Sequence, residues 1–119
     1  MSVDRNGILI LFKPQDWTSF DVIAKARGIL GTRKVGHSGT LDPMATGVLP
    51  VLLERGVKAS EFMLSSDKHY VATLLLGLTT DTEDITGEVL TRSESIPTES
   101  EVREAVRGFV GEIMQTPPM

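Results

Sequence analysis

Hydrophobic residues follow two different periods at the start of the chain, and each period predicts a different element. Residues 7–14, GILILFKP, form a short aliphatic run bounded by glycine and proline, which is typical of a buried strand. In residues 18–31, TSFDVIAKARGILG, the apolar residues recur at helical spacing, with Thr18 or Ser19 available to cap the helix and Gly31 to end it. The pattern therefore predicts a strand, a turn and a helix in this order.

The segment after this helix has no sustained hydrophobic period and is predicted to be a loop. It runs from Thr32 to Gly47, a length at which loops tend to carry function. Residues 48–53, VLPVLL, then predict a buried strand. Pro50 places this strand at an edge of the sheet or in a bulge, because proline cannot donate a backbone hydrogen bond.

The second half of the chain mixes predicted helices with predicted strands. The predictions are a helix over 57–67, a strand over 69–78 with a polar loop after it, a short strand over 88–92, and the start of a strand in the final residues, EIMQTPPM. The clearest helix lies within 97–111, where Thr98 and Glu101 form a capping box before an apolar face. Helices and strands on short connections predict an α+β or α/β layer around one sheet.

Composition limits what such a chain can do. Its 119 residues are 40% hydrophobic and 24% charged, as expected for one small globular domain. The absence of cysteine excludes disulfides, a thiolate nucleophile and cysteine-based metal sites. No signal peptide opens the sequence, and no apolar run approaches the roughly 20 residues that span a bilayer, so a cytoplasmic protein without a membrane anchor is expected.

Basic residues are concentrated in one stretch although the net charge is −4. Between positions 22 and 41 there is no acid, and the cations there are Lys25, Arg27, Arg33 and Lys34. A local positive field attracts an anionic partner such as nucleic acid more effectively than the net charge suggests. This basic stretch leads directly into residues 36–43, GHSGTLDP.

The carboxylate of Asp42, in front of Pro43, allows two interpretations. Aspartate before proline is a good helix start, since the carboxylate caps the first turn and proline fits the first helical position. A carboxylate among glycines, hydroxyl groups and a histidine is also a candidate for general-base or nucleophilic chemistry. By themselves, His37 is typical of a turn and Tyr70 of a half-buried aromatic at the head of a strand. A nucleotide cofactor has no support, because no glycine-rich or lysine-bearing phosphate-binding motif is present.

Four motifs, taken in order, resemble one protein family. The run GHSGTLDPMATGVLP is similar to the catalytic loop of the TruB family of tRNA pseudouridine synthases, in which the aspartate of GTLDP is the catalytic carboxylate. The family's opening strand and helix are similar to GILILFKPQDWTSFDV. Its segment from K-x-Y to TDT-x-D-x-x-G is similar to DKHYVATLLLGLTTDTEDITGEV, and its segment F-x-G-x-I-x-Q-x-PP is similar to GFVGEIMQTPPM. The resemblance implies the pseudouridine synthase fold, an α+β fold with a mixed, largely antiparallel sheet and flanking helices.

The resemblance also implies a reaction, the isomerisation of uridine 55 in the TΨC loop of tRNA to pseudouridine without a cofactor or metal ion. Asp42 is then the catalytic carboxylate. It attacks the base or the sugar, or it accepts a proton from the sugar, and the sequence leaves these routes open. The target base has to leave the stack to be reached.

The remaining site residues follow from the same resemblance. His37 packs against the region of the flipped-out nucleotide, and Tyr70 lies under the target uracil and takes part in a proton transfer. Gly36 and Gly39 let the RNA backbone approach closely, and Lys58 keeps a basic position of the substrate site. Contacts to RNA phosphates are expected from Lys25, Arg27, Arg33 and Lys34.

Residues 1–119 are expected to be part of a catalytic domain, because the family's pattern continues after PPM. The continuation holds further strands, an arginine that pairs with the catalytic aspartate, and an RNA-binding PUA domain. Without these parts, the chain is expected to expose a sheet edge and an apolar face, and not to form pseudouridine alone. It is expected either to self-associate or to be only marginally stable. The alternative is a non-catalytic RNA-binding fragment that keeps the loop. Two departures, Asp16 in place of a glycine and Phe12 in place of an aspartate, are expected to affect only a turn.

Overall fold

Two units make up the chain, Met1–His69 and Tyr70–Met119, and each is described by itself. The computed structural model describes residues 5–116. All buried side chains among these residues lie in the first unit, so the core that the composition predicts is built there.

The first strand and the first helix form where the two hydrophobic periods predict them. Strand β1 spans Gly7–Lys13, and helix α1 spans Ser19–Leu30. The hydroxyl of Thr18 accepts from the amide of Asp21 at 3.0 Å, and the Asp21 carboxylate accepts from the amide of Thr18 at 2.8 Å. After the helix, Gly31 takes a φ of 61°, in the left-handed region that favours glycine. Both predictions are confirmed.

An antiparallel sheet with the strand order β1-β3-β2 forms the centre of the first unit. Strand β3 spans Gly47–Leu53 and lies between β1 and the short strand β2, Val35–His37. Two predictions are therefore corrected. The predicted loop at 32–47 contains β2, which is too short to show a period, and the strand that holds Pro50 is central rather than at an edge.

Pro50 fits in the central strand because the bond it cannot donate falls at the end of a ladder. The carbonyl of Pro50 accepts from the amide of Ser38 at 3.3 Å. In an antiparallel sheet the nitrogen and the carbonyl of one residue face the same neighbouring strand, so the nitrogen of Pro50 also faces Ser38. Ser38 lies one residue beyond the end of β2 at His37, which is opposite Val51. On the other side of β3, Pro50 is opposite Ile10 of β1. This is a non-hydrogen-bonded pair, so no amide hydrogen of residue 50 is required there.

Helix α1 packs on one face of the sheet and closes the core. The buried core residues are Val22, Ile23 and Ala26 of the helix and Val35, Leu49, Val51 and Leu53 of the strands. On the opposite face the apolar side chains of Ile8, Ile10, Phe12 and Val48 are exposed. The apolar face that the sequence predicts is thus present, and self-association through it stays a prediction.

The connection after β3 is a 3₁₀ helix, Glu54–Ala59, which continues into the short helix α2, Ser60–Met63. The helix predicted over 57–67 is wrong at both ends. The helical segment starts earlier because the amide of Glu54 donates to the carbonyl of Lys34 at 2.8 Å, which turns the chain directly after the sheet. This bond joins residues far apart in sequence, so no local pattern predicts it.

Gly56 of the 3₁₀ helix packs against the backbone of Gly7. A Cβ at position 56 would overlap with the carbonyl oxygen of Gly7 and lie 3.1 Å from its carbonyl carbon. Gly56→Ala should therefore lower the free energy of unfolding in urea by about 1–3 kcal/mol, as overpacking does. Gly28→Ala is the control, because nothing lies within 4 Å of that position in α1 and alanine is the better helix former. Equal stability of the two variants would contradict the contact between Gly56 and Gly7.

The second unit contains a β-hairpin and a helix. Strands β4, Leu78–Thr80, and β5, Val89–Arg92, pair antiparallel, and helix α3 spans Glu99–Arg107. The strand predicted over 88–92 and the helix predicted within 97–111 are confirmed, the helix with its capping box.

The strand predicted over 69–78 is wrong for all but its last residue. Residues 69–77 pair with no strand in the part of the chain that is described, and Val71 is 94% exposed. An extended segment becomes a strand only when a neighbour takes its backbone groups, and apolar composition cannot supply that neighbour. Likewise, the strand predicted at the end of the chain does not form over 112–116, and 117–119 lie outside the described residues.

Carboxylates accept hydrogen bonds from threonine at three turns, and these bonds lower the pKa of each carboxyl. The pairs are Thr18 with Asp21, Thr86 with Asp84, and Thr98 with Glu101. The largest contribution to the lowered pKa comes from the threonine hydroxyl for Asp21 and Asp84, and from the threonine amide for Glu101. All three carboxylates therefore stabilise the local backbone conformation.

The lowered pKa values predict a loss of stability in acid. Each carboxylate contributes fully above the ordinary pKa, 3.8 for Asp21 and Asp84 and 4.5 for Glu101, and its contribution is lost as the pH falls through the lower folded value. Asp21→Asn should remove the part of this pH dependence of stability that comes from Asp21. The unfolding temperature of the variant should therefore fall less between neutral and acid pH than that of the wild type. The same fall in wild type and variant would contradict the role of Asp21.

Candidate functional site

Asp42 opens a β-turn and not a helix. The amide of Ala45 donates to the carbonyl of Asp42 at 3.0 Å, and Pro43 occupies the second position of the turn, where its fixed φ is favoured. The chain then enters β3 at Gly47. The interpretation of Asp42 as a helix start is therefore wrong.

A buried lysine anchors the residue after Asp42. Lys13, the last residue of β1, is 0% exposed. Its Nζ donates to the carbonyls of Pro14 at 2.9 Å, Trp17 at 2.6 Å and Pro43 at 3.2 Å. These bonds use all three hydrogens of the ammonium group, and no carboxylate among residues 5–116 lies within ion-pair distance of it. Lys13 thereby ties the loop of Asp42 to the turn that follows β1. The pKa of Asp21, which is lowered mainly by its hydrogen bonds from Thr18, is lowered further by the charge of Lys13.

A buried serine anchors the residue before Asp42. Ser19 is the first residue of α1, and its Oγ accepts from the amide of Leu41 at 3.0 Å and donates to the carbonyl of Leu41 at 3.3 Å. The Asp42 backbone is thus held on one side by β1 and on the other by α1. This arrangement restricts the positions that the Asp42 side chain can reach.

The turn after β1 adds one more bond to the same loop. The amide of Asp16 donates to the carbonyl of Pro43 at 2.8 Å. Asp16 has a φ of 63°, a conformation that glycine adopts freely and that aspartate tolerates better than most residues. The TruB family, which the sequence resembles, usually has glycine at this position. Asp16 therefore adopts a turn conformation that is also open to glycine.

The side chain of Asp42 itself is exposed. Among the described residues, its carboxylate accepts no hydrogen bond and forms no ion pair. In this respect it differs from Asp21, Asp84 and Glu101, whose oxygens are occupied by threonine donors. A carboxylate with a fixed backbone and unoccupied oxygens is available to a substrate.

His37 and two glycines precede Asp42 in the same segment. His37 ends β2, is half-buried, and has a buried Nδ1 without a hydrogen-bond partner among the described residues. A Cβ at Gly36 would meet only the methyl groups of Val57, the nearest at 3.7 Å, and a Cβ at Gly39 would meet nothing within 4 Å. Neither glycine has a positive φ. The described chain thus gives no reason for glycine at these positions, and close approach by another molecule would give one.

The two predicted cations of α1 differ in what they contact. Lys25 is exposed. Arg27 is half-buried, its Nη2 donates to the carbonyl of Val35 at 3.1 Å, and its guanidinium carbon lies 5.7 Å from the centre of the Phe20 ring. Arg27 therefore links α1 to β2, and only part of its guanidinium is left for a ligand.

The other predicted cations lie away from Asp42. Arg33 and Lys34 are exposed and directly precede β2, at the end of the sheet where Leu53 pairs with Gly7. Asp42 is next to the opposite end, because Lys13 bonds to its neighbour. Lys58 is exposed in the 3₁₀ helix, beside the valine that faces Gly36.

Tyr70 belongs to the second unit. It is exposed and lies outside any strand, so its predicted place at the head of a strand is wrong. Its part in a proton transfer stays a prediction.

Lys13 and Ser19 are the site residues that the sequence reasoning missed. The signal for Lys13 was the strand alternation, since Leu9 and Leu11 face the core and Lys13 is next in that series. No comparable signal exists for Ser19, because a serine at the start of a helix is read as a cap.

Two kinds of site have no support among residues 5–116. No group of three or more histidine and acidic side chains is placed to hold a metal ion. No helix has both the length and the apolar character needed to cross a membrane.

The sequence matches known proteins over its whole length. The family described as "TruB family pseudouridylate synthase (N terminal domain)" matches residues 27–119. The tRNA pseudouridine synthase B of Lactococcus lactis subsp. lactis (strain IL1403) is 46% identical over 100% of this chain, and that of Alkaliphilus oremlandii (strain OhILAs) is 50% identical over 96%. The chain spans 37% and 38% of the length of these two relatives.

Solved structures share the fold. The chain superposes on one chain of a Cbf5-Nop10-Gar1 complex with a TM-score of 0.65 and 29% identity, covering 97% of this chain and 30% of that one. An archaeal box H/ACA sRNP Nop10-Cbf5 complex gives a TM-score of 0.65 and 31% identity, covering 93% of this chain and 30% of that one. The predicted α+β pseudouridine synthase fold is confirmed, and the chain belongs to the TruB family of pseudouridylate synthases.

Proposed function

We propose that this chain carries the catalytic aspartate of a tRNA pseudouridine synthase that isomerises uridine 55 in the TΨC loop. The observation that supports this most directly is the unoccupied carboxylate of Asp42 on a backbone fixed by Lys13 and Ser19. The relatives named tRNA pseudouridine synthase B support the substrate class.

The reaction needs a positioned carboxylate. It breaks the N-glycosidic bond of uridine and forms a carbon–carbon bond between the sugar and the same base. An ionised Asp42 starts this by attacking the base, by attacking the sugar, or by accepting a proton from the sugar. Each route requires an oxygen that is free and held at a defined place, and such placement lowers a barrier by several kcal/mol.

The surroundings of Asp42 suit an RNA whose target base has left the stack. His37 packs against the vacated region, and the absence of side chains at Gly36 and Gly39 lets the RNA backbone come close. Tyr70 supports the target uracil and takes part in the proton transfer. The basic side chains of Lys25 and Arg27 contact phosphates, which position the RNA without reading its sequence. Lys58, which lies farther from Asp42, keeps a basic position of the substrate site.

A second candidate is a non-catalytic RNA-binding role. The observation in its favour is that the chain exposes basic side chains such as Lys25 and Lys34, while the carboxylate of Asp42 has no hydrogen-bonding or ionic partner among residues 5–116. In this role Asp42 would have no partner arginine to fix the orientation of its carboxylate, and the chain would bind RNA without changing it.

A chimera separates the two roles. Residues 1–119 replace the matching segment of the Lactococcus lactis protein, and the product is measured as tritium released from C5-labelled uridine in tRNA, with the modified position then mapped. We expect release at uridine 55 from the chimera and none from the 119-residue chain alone. Binding of tRNA by the chimera without release would favour the non-catalytic role, and release at another uridine would contradict the assignment of position 55.

A further inference from the structure

Exposed cations gather at the end of the sheet that is remote from Asp42. We call Arg5, Arg33, Lys34 and Arg55 the distal basic surface. The backbone brings them together: the Arg5 guanidinium donates to the carbonyl of Gly31 at 3.2 Å, and the carbonyl of Lys34 accepts from the amide of Glu54. The amide of Arg55 donates to the side chain of Asn6, next to Arg5, at 2.9 Å. The segment before β1, the connection between α1 and β2, and the start of the 3₁₀ helix therefore meet at one end of the sheet.

The charge of the distal basic surface is largely uncompensated. All four side chains are exposed, and none forms an ion pair with another described residue. Glu54, the acid beside them in the sequence, accepts from the hydroxyl of Thr32 and keeps its negative charge, so the four cations outnumber this one acid. Arg5 has a structural contact at the end of α1, which leaves Arg33, Lys34 and Arg55 free to bind an anion.

The distance from Asp42 follows from the strand register. Gly7 pairs with Leu53 at the distal end, and Lys13 pairs with Gly47 at the end that holds Asp42. Six residue steps along a strand correspond to about 20 Å. Helix α1 runs between the same two ends and carries the exposed Lys25 in its middle. Lys25 is therefore an exposed cation on a helix that connects the two ends.

We propose that the distal basic surface is a second phosphate-binding site, which holds the stem of the RNA substrate while its loop lies at Asp42. The proposal rests on the RNA substrate of the proposed function, but not on catalysis. A duplex presents phosphates about every 3.4 Å along each strand in B-form DNA and somewhat more closely along the axis of A-form RNA, so a separation of about 20 Å corresponds to at least roughly six base pairs. The surface therefore contacts stems longer than this and cannot reach shorter ones.

The test compares two RNA hairpins with the same loop, one with a stem of about four base pairs and one with about ten. The 119-residue chain and its double variant Arg33→Ala/Arg55→Ala are titrated with each hairpin over a range of salt concentrations. For the long stem, the double variant should lose about 1.8 units of the slope of log K against log salt, since each lost duplex phosphate contact removes about 0.9. For the short stem, wild type and variant should have the same slope.

Two control variants separate the loss of charge at the distal basic surface from a general effect of substitution. Arg33→Lys/Arg55→Lys keeps the charge and should retain the wild-type slope. Arg92→Ala removes an exposed cation of β5, which is not part of the distal basic surface, and it should leave both slopes unchanged. Equal losses on both stems, an unchanged slope on the long stem, or no binding of either hairpin would overturn the proposal. A chimera that binds tRNA but forms no pseudouridine would instead overturn the proposed catalysis alone.

Discussion

Asp42→Asn should abolish pseudouridine formation in the chimera, with a loss of roughly 10⁴-fold or more, while stability and tRNA binding stay close to wild type. Asparagine has the same size as aspartate but cannot act as nucleophile or base. The anchors of the loop are bonds to the backbone of Leu41 and Pro43, which the substitution does not touch. The carboxylate has no partner to lose among residues 5–116.

The measurements are tritium release, thermal unfolding and tRNA affinity on the same preparations. Asp67→Asn is the matched control, because Asp67 is an exposed aspartate of the same unit, and it should keep full activity. If Asp42→Asn unfolds and its remaining activity follows its folded fraction, Asp42 is a structural residue and the assignment of catalysis is wrong.

Lys13→Met should lower the free energy of unfolding by about 2–4 kcal/mol, because three carbonyls lose their bonds to a charged donor. Methionine fills a similar volume, so the loss reports the hydrogen bonds more than a cavity. The three carbonyls belong to Pro14, Trp17 and Pro43, so the variant leaves the bond from the amide of Asp16 to the carbonyl of Pro43 as the remaining link between the loop of Asp42 and the turn after β1. In the chimera, the folded fraction should therefore form pseudouridine more slowly, with kcat reduced more than substrate affinity.

Lys68→Met is the control for Lys13→Met. Lys68 is exposed and bonds only to carbonyls close to it in sequence, so its loss should change stability by less than about 0.5 kcal/mol. Urea denaturation of both variants measures the difference. A Lys13→Met protein as stable as Lys68→Met would show that the three bonds of Lys13 do not hold the loop.

Local signals in the sequence determined the elements that depend on neighbouring residues. The short aliphatic run of GILILFKP, bounded by glycine and proline, is enough for β1, and a capping threonine with periodic apolar residues is enough for α1 and α3. The motif GHSGTLDP located Asp42 and its family without the fold. These features are predictable because capping bonds and side-chain periodicity involve residues only a few positions apart.

Only the tertiary structure decided how these elements meet. Pro50 lies in a central strand because β2 ends where its missing donor would be needed, and Lys13 is buried because three carbonyls converge on it. Arg33 is near Asp42 in sequence but at the opposite end of the sheet, since the extended β2 segment runs between them. Such outcomes depend on strand pairing and on hydrogen bonds between distant residues. A one-dimensional pattern does not contain these contacts, because each is fixed only when its partner segment has folded.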